Sequence, residues 1–182
     1  MLKNLFAISL FAFLLSQTSS GTAQALPTAT GHGALQVGAG WTIVNPDYGH
    51  KNIQGFTGFA DFDLFTHLGV EGTIHAVNLI TPEDLAEDTY LVGPRYVIHK
   101  GRFVPYAKAL AGVGDLVIQE TQDNPGKYSG TYFAFAIGAG LDIDVRRHIV
   151  VRAIDVEYQR WPGLGNGLSP FAFTVGAAYR FR

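Results

Sequence analysis

The chain ends Phe171-Ala172-Phe173-Thr174-Val175-Gly176-Ala177-Ala178-Tyr179-Arg180-Phe181-Arg182. Successive side chains of a strand point to opposite faces, so Phe173, Val175, Ala177, Tyr179 and Phe181 share one apolar face. Thr174, Gly176, Ala178 and Arg180 fall on the other. A strand apolar along one side and small or polar along the other suits the wall of a barrel whose outside meets lipid.

The same alternation recurs upstream. Eight strand-like segments are expected near 34–45, 52–65, 67–79, 89–99, 102–118, 130–144, 147–160 and 169–181. In the first, Leu35, Val37, Ala39, Trp41 and Ile43 oppose Gln36, Gly38, Gly40 and Thr42. In the third, Leu68, Val70, Gly72, Ile74 and Ala76 oppose Gly69, Glu71, Thr73 and His75. In the sixth, Phe133, Phe135, Ile137, Ala139, Leu141 and Ile143 oppose Ala134, Ala136, Gly138, Gly140 and Asp142.

The connections sort into two kinds. Stretches 45–51, 80–88, 119–129 and 161–168 are long and polar or rich in Gly and Pro, hence surface loops. Thr66-His67, Lys100-Gly101 and Arg146-Arg147 are tight turns. Strict alternation of long and short connections is the asymmetry of a transmembrane barrel, with turns at one end and loops at the other. A β-sandwich has no reason to sort its loops in this way. The fold expected is all-β: an eight-stranded antiparallel up-and-down transmembrane β-barrel over 34–182, with a single domain and no internal linker. The pairs Gly38/Gly40, Gly112/Gly114 and Gly138/Gly140 fall on inward faces and open no helix, so they leave room inside a narrow barrel rather than cradle phosphate.

The N-terminus supplies a route to a membrane. Lys3 precedes an apolar run from Leu5 to Leu15, and Ala23-Gln24-Ala25 matches a small-residue cleavage site. The run is too short to span a bilayer, which needs roughly 20 apolar residues. Residues 1–25 therefore read as a cleaved signal peptide and 26–33 as a short lead-in. The sequence has no cysteine, which excludes a disulfide-stapled domain. A net charge of −2 gives no reason to expect nucleic acid as a partner.

These strands, with Leu91-Val92-Gly93-Pro94-Arg95-Tyr96, Phe103-Val104-Pro105-Tyr106-Ala107-Lys108, Glu157-Tyr158-Gln159-Arg160-Trp161 and the aromatic last strand, resemble the outer-membrane β-barrel domain family. That family includes the outer-membrane protein A transmembrane domain and outer-membrane protein X. The resemblance covers the mature chain and is one of pattern; no peptidoglycan-binding domain follows the barrel, and Arg182 follows the aromatic residue on which members usually end. It implies a bacterial outer-membrane location, with periplasmic termini and extracellular loops. It implies that Phe173, Val175, Tyr179 and Phe181 form the signal read by the barrel-assembly machinery. The expected partners are that machinery and outer-membrane lipid, with the protein itself a monomer.

An eight-stranded barrel is just wide enough to be filled by side chains. The inward positions are expected to include Asp61, Asp63, Glu71, His75, Arg95, Lys108, Asp142, Asp155, Glu157 and Arg180. Both signs occur, as a charge removed from water requires. A paired plug that closes the lumen is one reading. A gate, in which Glu71 or Glu157 exchanges partners between Arg95 and Lys108, is the other. Arg152 breaks the pattern: in phase with Asp155 and Glu157 inward, it faces lipid, and the reading is that it snorkels towards the turn unless a bulge intervenes. Trp41, Tyr90, Tyr96, Tyr106, Tyr132, Tyr158, Trp161 and Tyr179 are expected in aromatic girdles.

The histidines are scattered, and neither Ser129 nor Ser169 lies in a nucleophile motif, so no catalytic residue is assigned. Nor is any metal or cofactor site. The expected role is structural or one of surface contact, with the acidic stretch around Glu83, Asp84, Glu87 and Asp88 as the contact surface. A narrow ion-conducting pore, a lipid-modifying enzyme and a soluble ligand-binding barrel are the alternatives.

Overall fold

The computed structural model describes residues 33–47, 52–77, 85–118, 128–163 and 167–181. The expected signal peptide, residues 26–32 of the lead-in and the centres of the long loops lie outside them. Eight strands run in order: β1 (Leu35–Asn45), β2 (Ile53–Asp63), β3 (Leu68–Val77), β4 (Leu85–Val97), β5 (Phe103–Ile118), β6 (Tyr128–Arg146), β7 (Ile149–Arg160) and β8 (Phe171–Phe181). Each pairs antiparallel with its sequence neighbours, and β8 returns to β1, so the sheet closes into a barrel with no free edge. Leu35 lies opposite both Phe62 and Phe181.

The alternation explains which way each side chain points. Phe56, Ile74, Val92, Phe133, Ile137 and Tyr158 are exposed on the outer surface, where a soluble barrel would carry polar groups. That outer surface overturns the soluble ligand-binding reading. Inside, the lumen is layered. At the loop end Leu91, Leu110, Leu116, Ala134, Ala136, Trp161 and Leu168 form an apolar cluster, beside Val44, Ile53, Val77 and Ala172. At the turn end Phe59, Val150 and Ala178 form a second cap, with Val97, Val104 and Tyr106. Most of the charged residues lie between, with Glu87 level with the loop-end cluster and Arg180 and Asp144 at the turn end.

Glycine makes this filling possible. A β-carbon at Gly114 would collide with the Trp161 ring, and one at Gly140 with the Tyr106 phenol. Gly101, with φ of 65°, turns the β4–β5 hairpin in a conformation that a side chain disfavours.

Three expectations need correction. First, β4 begins at Leu85, so the segment read as a loop to Asp88 is partly strand. Glu87 points inward and is buried, and Asp88 accepts the Val77 backbone N–H at 3.2 Å. The acidic contact surface thus loses Glu87, Asp88 is half-buried, and Glu83 and Asp84 lie outside the described residues. Second, Tyr106 and Trp161 are not girdle residues. Tyr106 shares the inward phase of Lys108, and Trp161 continues that of Glu157 and Gln159; both are buried, with Tyr132 packed against the Trp161 cluster. Third, Arg152 does not face lipid. Relative to β6, register shifts by one between Leu141↔Ile154 and Asp142↔Arg152, leaving Ala153 as an extra residue. The β7–β8 ladder is irregular at the same place. This bulge turns both Arg152 and Asp155 inward.

Candidate functional site: the charged lumen

Arg152 is the hub of the lumen and 1% exposed. Its guanidinium lies 2.9 Å from Asp61 Oδ2, 3.1 Å from Asp142 Oδ1, 3.2 Å from Asp155 Oδ2 and 3.3 Å from Glu71 Oε2. The Phe59 ring covers its face at 3.7 Å. A planar fork with five donors suits this position, since it can serve several carboxylates and still stack on an aromatic ring.

Two more cations complete the cluster. Arg95 bonds Asp142 Oδ2 at 2.5 Å, reaches Asp61 at 3.4 Å and Glu71 at 3.3 Å, and rests over the Tyr106 ring at 4.1 Å. Lys108 Nζ sits 2.7 Å from Glu71 Oε1, 2.8 Å from Asp155 Oδ2 and 3.1 Å from Glu157 Oε2. Tyr106 donates its hydroxyl proton to the same Asp155 oxygen at 2.7 Å. Glu71 is therefore shared by all three cations and is completely buried. Asp61 faces Glu71 across the β2–β3 ladder, which brings two carboxylates onto one guanidinium.

From Glu157 a polar chain runs in two directions. Towards the loops, Gln159 donates to Glu157 Oε1 at 2.8 Å, and the Trp161 indole N–H donates to Gln159 at 3.1 Å. Across the barrel, His75 Nε2 lies 3.2 Å from Glu157 Oε1, and its Nδ1 lies 2.6 Å from the Thr57 hydroxyl. Thr57 bonds Thr42, which bonds Thr174 at 2.8 Å. At the turn end, Arg180 holds Asp144 at 2.7 Å and donates to Gln36 at 3.1 Å. Gln36 in turn reaches Asp61 at 3.4 Å.

Of the positions expected inward, Asp61, Glu71, His75, Arg95, Lys108, Asp142, Asp155 and Glu157 meet in the central cluster. Arg180 joins through Gln36. Asp63 stands apart at the rim, half-buried, its backbone N–H bonded to the Ala34 carbonyl. Sequence reasoning put Arg152 towards lipid unless a bulge intervened, set Gln36, Thr42 and Thr174 on the face opposite the apolar one without joining them to the network, and missed Tyr106, Asp144 and Gln159. Tyr106, Gln159 and Trp161 were within reach, because each sits two residues along from an inward group. Arg152 was not, because its facing depends on the bulge.

Each charge here is paired and hydrogen-bonded, as removal from water demands. The apolar caps at both ends exclude water and strengthen each contact. Chemically the arrangement is a cross-link: it ties β2, β3, β4, β5, β6 and β7 together through the middle of the barrel.

A closed antiparallel barrel of eight strands, apolar outside and ion-paired inside, is a membrane-spanning β-barrel. The chain belongs to the outer membrane protein beta-barrel domain family, whose model matches residues 10–181. The fold is similar to that of Ail, the attachment invasion locus protein of Yersinia pestis, at 21% identity and a TM-score of 0.59, covering 82% of this chain and 99% of that one. It is also similar to OprG from Pseudomonas aeruginosa, at 16% identity and a TM-score of 0.62, covering 83% and 97%. The N-terminal barrel of Pseudomonas aeruginosa OprF aligns at 11% identity and a TM-score of 0.60, covering 82% and 98%. No curated protein matched the chain. This is an outer-membrane barrel with a charged lumen, and its outer surface meets lipid.

Proposed function

We propose that the protein is a closed structural barrel that presents its long loops for surface contact. The observation that carries this reading is the complete burial of Glu71, with Arg152 and Arg95 each 1% exposed, between two apolar caps. A water-filled pore would be lined by exposed polar side chains. Instead the mid-lumen charges are spent on one another. Ail, which has a similar fold, has been solved in complex with the heparin analogue sucrose octasulfate, so a small barrel of this kind can bind a ligand.

In this reading the short turns and both termini face the periplasm, and the long loops face outside. The protein is a monomer, and residues 1–25 are removed on export. The assembly machinery reads Phe173, Val175, Tyr179 and Phe181, of which Tyr179 and Phe181 are exposed on the outer face of β8. No catalysis is proposed and no cofactor. Thr57, His75 and Glu157 do have the connectivity of a hydroxyl–imidazole–carboxylate relay. All three are buried, leaving a substrate no access.

Planar-bilayer recording of the refolded protein tests the reading. The expected result is no conductance steps above those of the empty bilayer. Steps that vanish when Glu71 is replaced by Gln would replace the plug with the gate, because Glu71 is the carboxylate that the three cations share.

A further inference from the structure

We propose that the turn end of the barrel carries a site for anionic phospholipid headgroups, built from a basic arc and an apolar wedge. The proposal rests on the membrane reading above and adds a ligand that the lumen does not use.

Lys100, Arg102, Arg146 and Arg147 are all exposed at this end, together with His67 and His99. They form an arc because backbone bonds stitch each turn to the next. Val97 N–H donates to the His67 carbonyl at 2.9 Å, Asp144 N–H to Arg102 at 2.8 Å, and Arg180 N–H to His148 at 2.9 Å. The described carboxylates at this rim are Asp63 and Asp144, and Asp144 is held by Arg180 at 2.7 Å. The charge of the arc is thus left uncompensated by protein. The loop stretches have the opposite bias in sequence, with Asp47, Glu83, Asp84, Glu120 and Asp123 against Lys51 and Lys127.

A row of basic residues alone is an ordinary solvated surface. Two further features give this one a lipid address. The β2–β3 turn carries Leu64 and Phe65, 43% and 60% exposed, where a turn facing only water would be polar. And two of the imidazoles rest on outward-facing tyrosines: His67 on Tyr96 at 5.9 Å, His148 on Tyr179 at 5.5 Å. Both tyrosines are about half exposed on the lipid side of the wall, the level at which aromatic belts mark the bilayer boundary. The cations therefore stand where lipid phosphates stand, with Phe65 placed to enter the acyl region beside them. Long basic side chains reach such phosphates while their stems stay in apolar surroundings. An interfacial apolar residue beside basic ones is the combination that retains anionic lipid.

The test uses the full chain in nanodiscs of phosphatidylethanolamine with a minority of phosphatidylglycerol, counting retained lipids by native mass spectrometry. The wild type is expected to hold phosphatidylglycerol above its bulk fraction, and to lose that excess as salt rises. Lys100→Gln with Arg102→Gln, and Arg146→Gln with Arg147→Gln, should each lower the excess severalfold, and all four together should abolish it. Phe65→Ser should lower it with the charge unchanged. A heat-modifiability gel reports folding; if the four-site variant fails it, the paired variants decide. Phosphatidylglycerol at bulk proportion around the wild type, or full excess in the paired variants, overturns the site. Soluble peptidoglycan fragments that bind the arc while lipid shows no excess overturn the lipid assignment in favour of a polymer. A chain that does not enter the discs overturns the membrane reading itself.

Discussion

Four carboxylates converge on Arg152, and the Phe59 ring covers it, so its removal strands Asp61, Glu71, Asp142 and Asp155 with two cations in place of three. Losing one partner of a buried ion pair costs about 3–5 kcal/mol, because the remaining charges stay desolvated. Arg152→Met should lower stability by that amount in urea titration of the vesicle-embedded protein, and Arg152→Lys by less. A change below about 1 kcal/mol would show that the cluster is not a stabilising cross-link. Tyr106→Phe removes one hydroxyl donor from Asp155, and a hydrogen bond to a charged group contributes about 1.5–3 kcal/mol, so its cost should fall there. At this scale parity was informative: counting by twos along β3, β4 and β5 is enough to place Glu71, Arg95 and Lys108 inside. The partners of each group were not legible. Which cation meets Glu71 depends on strand tilt and on side chains arriving from strands far away in the chain.

At the scale of the element, β7 is the strand that departs from its own alternation. Ala153 is unmatched against β6, and this one residue sets the facing of the turn-side half of the strand. Deleting Ala153 removes the unmatched residue and leaves Arg152 and Asp155 two apart, so an unbroken strand keeps Val150, Arg152, Asp155 and Glu157 all inward. The expected outcome is that the folded, heat-modifiable form persists on a gel, and its loss would show that closure needs the bend of the bulge as well as the facing it sets. Deletion of one residue within 119–127, a connection between strands, should be tolerated. In the sequence the bulge showed only as the out-of-phase charge of Arg152, and the snorkelling reading was preferred to it because Val150-Val151-Arg152-Ala153-Ile154 offers no Gly or Pro to mark a break. The start of β4 was missed for a related reason. Leu85-Ala86-Glu87-Asp88 is acidic and small, so it reads as loop even though the fifth strand was expected to reach 118; only the pairing of Leu85 with Ile118 shows it to be strand.

For the molecule as a whole, the sorted loops and turns made the barrel legible, since long and short connections alternate from one end of the sequence to the other. The contents of the lumen were legible as residue types but not as a layered stack. The apolar caps draw on residues as far apart as Leu91 and Leu168, and Val44 and Ala172. The last strand carries the assembly prediction. Deleting Phe181 and Arg182 removes the partner of Leu35 and the end of the outward aromatic stripe. Insertion into the outer membrane, followed by fractionation, should fall sharply; unchanged insertion would show that the machinery does not read this terminus.

The pairing of β1 with β8 also fixes when folding can finish. Every other pairing joins strands made one directly after the other, but on its second side Leu35 must wait for Phe181. A chain still being synthesised or exported therefore has two open sheet edges and no way to seal either. Closure is the step with the greatest separation along the sequence and the largest entropic search. Until it occurs, the edges of β1 and of whichever strand is last in place are sticky towards other copies. The protein thus depends on being held apart from its own kind throughout its passage to the membrane, and its vulnerability ends with its final residues.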